Sequence, residues 1–264
     1  MFARAAKSLQ QAMGGRLTVN IISSEMAGET LGSTERYQRT AEAMALLKAF
    51  WTQDHVHHPG SEWTRPYDLP TTATRTSSPP PLYFGGTSEP ARDAAAAQAD
   101  VYLMWVETVA STAALVADLR ERAAAHGRTL RFGLRSHVIV RETEAAAREA
   151  AAELVSELDP DIGRRLKESS HDHASEGVRR QDALRGAAGD DGFVEEALWT
   201  GIGVARSGVG AAITGSPDQV EAKLRAYADL GIDSFILSGY PLDDEAERVA
   251  ELVLPRFDLG YVEV

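Results

Sequence analysis

The chain has 264 residues, 44% of them hydrophobic, a net charge of −12 from 39 acids and 27 bases, and no cysteine. This is the composition of a globular protein, and the length leaves room for a (β/α)8 barrel of ~250 residues. The charge opposes general nucleic-acid binding through phosphate repulsion, and the missing cysteines exclude disulfides, thiolate metal sites and cysteine nucleophiles.

In chain order, residues 3–13 read as a helix stopped by Gly14-Gly15. This start is too polar for a secretory signal, and no later run reaches the ~20 apolar residues of a membrane span. A soluble, cytoplasmic protein is expected, with no membrane and no nucleic-acid partner. Arg16–Ile22 is β-branched and apolar, so a strand follows. Ser33 or Thr34 caps a helix running to Trp51, with Ala41, Met44, Leu47 and Phe50 on one stripe. Residues 52–80 form an irregular connection, with His55-Val56-His57-His58-Pro59-Gly60 read as a hairpin around a tight turn.

Strands and helices then alternate. Strands are expected at 82–85, 101–105, 130–140 and 232–238, with an alanine-rich helix opening after Gly85-Gly86-Thr87-Ser88 and helices at about 108–126, 142–158, 217–230 and 243–252. Residues 159–200 read as a mostly helical, charged insertion, and 201–215 as a glycine-rich, mobile stretch. Strands separated by helices imply βαβ units and a parallel sheet. Five strands are clear and 211–214 is a weaker sixth, against the eight of a closed barrel.

Several groups carry chemistry. Gly85-Gly86-Thr87-Ser88 lies between a strand and a helix. Such a turn presents amides and hydroxyls to a phosphate, or is an ordinary tight turn with its N-cap. Arg135 and His137 alternate on a strand and share a face. An arginine among apolar residues needs an anion, which is either a ligand or a structural acid. Trp105 and Tyr240 sit at strand C-terminal ends, where parallel folds build sites and where aromatics also simply pack. Arg206, in GIGVARSGVG, is either a cation on a closing loop or a solvated surface residue. His55, His57 and His58, and separately His171 and His173, lack a carboxylate-supported ligand set, so no metal is expected. Asp243-Asp244-Glu245 favours the start of its helix.

Together, RFGLRSHVIVRET (131–143), PLYFGGTSE (81–89), GIDSFILSGYP (231–241), STERY (33–37), VYLMW and GIGVARSGVGAAITG resemble the flavin-dependent alkanesulfonate monooxygenases of the bacterial luciferase-like superfamily. The likeness runs in order over nearly the whole chain. It implies a single (β/α)8 TIM-barrel domain over 1–264 that lacks the family's first three βα units, with about five of eight barrel strands and 159–200 as an insertion within it. It implies reduced FMN as a co-substrate supplied by a separate flavin reductase, and O2-dependent conversion of an aliphatic sulfonate to an aldehyde and sulfite. By the same resemblance Arg135, His137, Arg206, Tyr240 and Trp105 are the catalytic set, with Arg206 on a lid. Tyr37, Gly86, Thr87 and Ser88 match the FMN phosphate site. Ser33 stands where the family commonly has a histidine. A homo-oligomer is expected. The alternatives are a non-catalytic or partner-dependent remnant, and another flavin- or deazaflavin-dependent oxidoreductase of the same fold.

Overall fold

Alternating β-branched and alanine-rich segments become parallel strands and helices in the computed structural model, which describes residues 1–23, 29–159, 161–163, 165, 175–204 and 210–258. The helices are α1 (Phe2–Ala12), α2 (Ser33–Thr52), α3 (Glu89–Gln98), α4 (Val109–Ala125), α5 (Glu144–Leu154), α6 (Glu176–Gly186), α7 (Pro217–Asp229) and α8 (Leu242–Leu252). Four of them begin on side-chain caps: Thr108, Thr143, Ser175 and Ser216 accept hydrogen bonds from amides in the first turns of α4, α5, α6 and α7. Each cap satisfies an amide that the helix itself leaves unpaired. No described helix is long and apolar enough to cross a membrane.

The strands are β1 (Val19–Ile21), β2 (His55–His58), β3 (Tyr67–Pro70), β4 (Leu82–Phe84), β5 (Val101–Trp105), β6 (Arg131–Val140), β7 (Phe193–Glu195), β8 (Leu198–Trp199), β9 (Ala212–Gly215) and β10 (Ile232–Ser238). Five parallel strands stand side by side in the order β1-β4-β5-β6-β10. The sheet is open: among the described residues β1 and β10 each pair with one strand.

Strand β6 is the centre. It pairs with β5 along Arg131–Arg135, with β10 along Phe132–His137 and with β9 along His137–Val140. His137 is in register with both Ala212 and Ser238, so β9 and β10 lie on opposite edges. β9 therefore continues the edge that β5 leaves at Trp105. Beyond β9 the sheet adds β8 and β7, which run antiparallel. The core between sheet and helices is built from Met44, Trp51, Phe84, Tyr102, Leu119, Phe132, Leu134 and Tyr227, all buried. At the opposite end from the site, Asp100 accepts a bond from the Leu82 amide and pairs with Lys48. Burial there holds the Lys48 ammonium below its ordinary pKa despite the carboxylate.

Two connections differ from expectation. The hairpin at His55 is wider than a tight turn, because His55–His58 pairs with Tyr67–Pro70. Its loop closes on itself instead: Ser61 Oγ accepts from the amides of Trp63 and Thr64, and the Ser61 amide donates to the Thr64 carbonyl. The stretch 193–199, expected within a mostly helical insertion, is the β7–β8 hairpin. Gly192 and Ala197 both adopt positive φ, which turns the chain where a helix would have continued. The weaker strand at 211–214 is present as β9, shifted by one residue.

The Leu134 side chain is fully buried on the central strand. Leu134→Ala is expected to cost about 2–5 kcal/mol. The reading is a lower urea midpoint at an unchanged denaturant slope.

Candidate functional site

Parallel strands end together, and the loops that follow them converge on one rim. At the end of β4 the chain turns through Gly85-Gly86-Thr87-Ser88 into α3. A side chain at Gly85 would meet the Leu103 carbonyl oxygen at 2.3 Å, so only glycine passes. Gly86 has φ +146°, and a Cβ there would lie 2.7 Å from the Ala91 Cβ. Below the turn, the Tyr102 hydroxyl donates to the Gly86 carbonyl at 2.8 Å. Burial pushes this phenol far above its ordinary pKa, so it remains a donor at any working pH.

The upper side of the turn is unsatisfied. Ser88 is the N-cap of α3, yet its side chain makes no capping bond. Thr87 Oγ1 and Ser88 Oγ are both buried without a hydrogen-bond partner among the described residues. Tyr37, on α2, packs edge-on to Phe84 with ring centroids 6.1 Å apart, and its hydroxyl lies 3.3 Å from where a Gly86 Cβ would stand. Buried hydroxyls normally find partners, and a helix N-terminus favours negative charge. An oxyanion such as a phosphate monoester supplies what these groups lack.

On the central strand, the half-buried Arg135 is in register with Trp105 of β5, and His137 follows two residues on. His137 is 3% exposed. Its Nδ1 lies 3.0 Å from Ser238 Oγ at the end of β10. Its ring stacks on Tyr240 with centroids 5.2 Å apart and planes 24° from parallel. The structure thus brings His137 and Tyr240 into contact from segments far apart in sequence.

Helix α6 covers Trp105. A Cβ at Gly177 would stand 3.1 Å from Trp105 Cζ3 and 3.7 Å from Thr87 Oγ1, so this helix bridges the aromatic ring and the turn. Arg180 holds α6 there through two bonds to Glu107, at 2.8 and 2.5 Å, and Gln181 donates to the Val106 carbonyl at 3.2 Å. The hydrogen bonds to Glu107 raise the Arg180 pKa further above its ordinary value. Tyr227 donates to the Glu107 carbonyl at 2.5 Å, tying α7 to the same strand end.

Arg206, His171 and His173 lie outside the described residues. His55 and His57 do share a face, with Asp68 of β3 against them at 2.7 and 3.7 Å, and His58 faces Glu42 at 3.6 Å. Among the described residues no three histidine or carboxylate groups converge as metal ligands. Sequence reasoning did not single out Glu107, Arg180 or Ser238. The available signal was position: Glu107 is an acid two residues past an apolar strand, and Ser238 is a hydroxyl at the end of another.

The sequence profile of the family described as Luciferase-like monooxygenase matches residues 1–234. A sulfoquinovose monooxygenase of Novosphingobium aromaticivorans is 51% identical over 251 residues, covering 95% of this chain and 69% of the relative. A sulfoquinovose monooxygenase of Agrobacterium fabrum is 47% identical over 265 residues, covering 97% of this chain and 67% of the relative. Among solved structures, a riboflavin lyase with modified FMN and riboflavin aligns with a TM-score of 0.75 at 18% identity, over 97% of this chain and 66% of that one. DmoA from Hyphomicrobium sulfonivorans aligns with a TM-score of 0.70 at 18% identity, over 97% and 64%. The chain spans about two thirds of the length of these relatives. The structural likenesses show the fold.

Removing the Tyr102 hydroxyl strands the Gly86 carbonyl beneath the turn. Tyr102→Phe is expected to cost about 1–3 kcal/mol in unfolding free energy. The same variant should show faster amide hydrogen exchange at Gly86–Ser88 than the parent protein.

Proposed function

The chain belongs to the luciferase-like monooxygenase family, and from that premise we propose that it is a flavin-dependent sulfonate monooxygenase acting on a sugar sulfonate of the sulfoquinovose type. The observation that carries this reading is the 51% identity maintained over 95% of the chain to a protein of that name. A sulfonated hexose replaces the simple aliphatic sulfonate expected from sequence, because both curated relatives bear that substrate in their names. The co-substrates are O2 and reduced FMN, the latter delivered by a separate flavin reductase. In the overall reaction the carbon–sulfur bond breaks, sulfite departs and the carbon that bore it becomes an aldehyde. One atom of O2 enters product and the other leaves as water.

The described residues suit this chemistry. Thr87 Oγ1, Ser88 Oγ and the amides at the start of α3 would hold the FMN phosphate, with Tyr37 beside them; the unpartnered buried hydroxyls are what such a group satisfies. When bound, reduced FMN supplies the electrons that activate oxygen. Arg135 gives fixed positive charge to a sulfonate, and a charge in a partly desolvated site acts more strongly than in water. His137, held by Ser238, has a defined ring orientation in which to take or give a proton. Trp105 and Tyr240 form apolar walls. Arg206 is assigned by sequence resemblance as a second cation for the sulfonate.

The test is sulfite release from sulfoquinovose with FMN, a flavin reductase, NADH and air. Sulfite at a rate above that of reductase alone is expected, and its absence from folded protein counts against the reading. The double variant Thr87→Ala/Ser88→Ala should bind reduced FMN about 10- to 100-fold more weakly, the range for hydrogen bonds to a charged group. Its thermal midpoint should stay close to that of the parent, since these hydroxyls hold no described protein group.

A further inference from the structure

Glu245 stands third in an acidic run whose evident purpose is to open α8, but its side chain does something else. It is 1% exposed and turned inward. Arg141, the residue after β6, grips it at two points: Nη2 to Oε1 at 2.8 Å and Nη1 to Oε2 at 3.1 Å. Arg248 adds a bond to Oε1 at 2.9 Å. Arg141 Nη1 also donates to the Val140 carbonyl at 2.7 Å, which fixes the guanidinium to the end of the central strand.

The segment between β10 and α8 is Gly239-Tyr240-Pro241. It is therefore fastened to β6 at both ends. On one side Ser238 Oγ meets His137 Nδ1, and on the other Glu245 meets Arg141. Between them, Gly239 lies so close to α8 that a Cβ would stand 2.4 Å from the Glu245 Cβ. Tyr240 has little freedom left once both fastenings hold, and its ring falls on His137. We propose that Arg141 and Glu245 are a positioning pair that holds Tyr240 in its stack on His137. They act through the segment they fasten. The relevance to catalysis rests on the reading of the site given above, but the geometry does not.

The stack can be read without substrate. The His137 ring is stacked on Tyr240, so its protons are expected to carry a ring-current shift; they are assigned by their loss in His137→Asn, and Tyr240→Leu gives the unstacked position. Arg141→Lys keeps the charge and loses the planar two-point grip. The His137 ring-proton resonance is expected to move at least halfway toward its position in Tyr240→Leu. In Arg248→Ala, which spares the grip of Arg141, it should stay in place. An unmoved resonance in folded Arg141→Lys overturns the proposal. Should that variant fail to fold, Arg141→Met/Glu245→Met, which replaces the pair by apolar atoms of similar reach, is read by the same shift. Failure of both to fold overturns the positioning role and makes the pair a requirement of the fold alone. Because no sulfonate or flavin enters the measurement, an absence of sulfite release leaves this result standing, and the reverse holds too.

Discussion

Strand β6 hydrogen-bonds on both edges over most of its ten residues, to β5 and then β9 on one side and to β10 on the other. In such a position neither register nor twist can change without breaking two ladders. Its residues from Phe132 to Val140 are buried, apart from the half-buried Arg135. A one-residue slip would turn Arg135 and His137 to the other face and Leu134, Ser136 and Val138 toward the site. The polar face of the site is thus as firmly placed as the core is. Everything else described at the rim is positioned relative to this strand.

Around that fixed line the walls are attached by polar fastenings. Helix α6 is held to the end of β5 by Arg180, Glu107 and Gln181, and the segment carrying Tyr240 is held to the end of β6. Buried ion pairs add little net stability, because desolvating two charges offsets most of their attraction. What they do supply is direction. An apolar contact tolerates a sliding neighbour, whereas a two-point guanidinium–carboxylate bond fixes both distance and plane. At the Gly86 turn Tyr102 holds the backbone from below, while Thr87 Oγ1 and Ser88 Oγ above it have no hydrogen-bond partner among the described residues.

The parallel strands and most helices are legible in the sequence because their signals are local and repeated. RFGLRSHVIV is too long and too β-branched to be a turn or a helix end, and Ala41, Met44, Leu47 and Phe50 fall three apart on one helical stripe. The β7–β8 hairpin is not legible in the same way. Its strands have three and two residues, too few for a period, and the turn depends on a positive φ at Ala197, a residue that rarely adopts one. Arg135, His137 and Tyr240 can be suspected as strand-end residues, but contact between His137 and Tyr240 is a property of register. Glu245 shows the limit most sharply. An acid in a first helical turn suits the helix dipole whichever way its side chain points, so the local signal is satisfied before the tertiary contact is considered.

The bond between His137 and Ser238 joins residues 101 positions apart. Closing a loop of that size has an entropic cost that nothing local repays until β10 is laid against β6. The intervening helices and the β7–β8 hairpin can each form earlier, from nearer contacts. The stack of Tyr240 on His137 therefore exists only where β10 lies against β6, and a chain with its helices and hairpins formed but without this pairing lacks that wall of the site. A ligand bound against that wall would stabilise this long-range pairing along with the rest of the native state, because it binds only where the pairing is made.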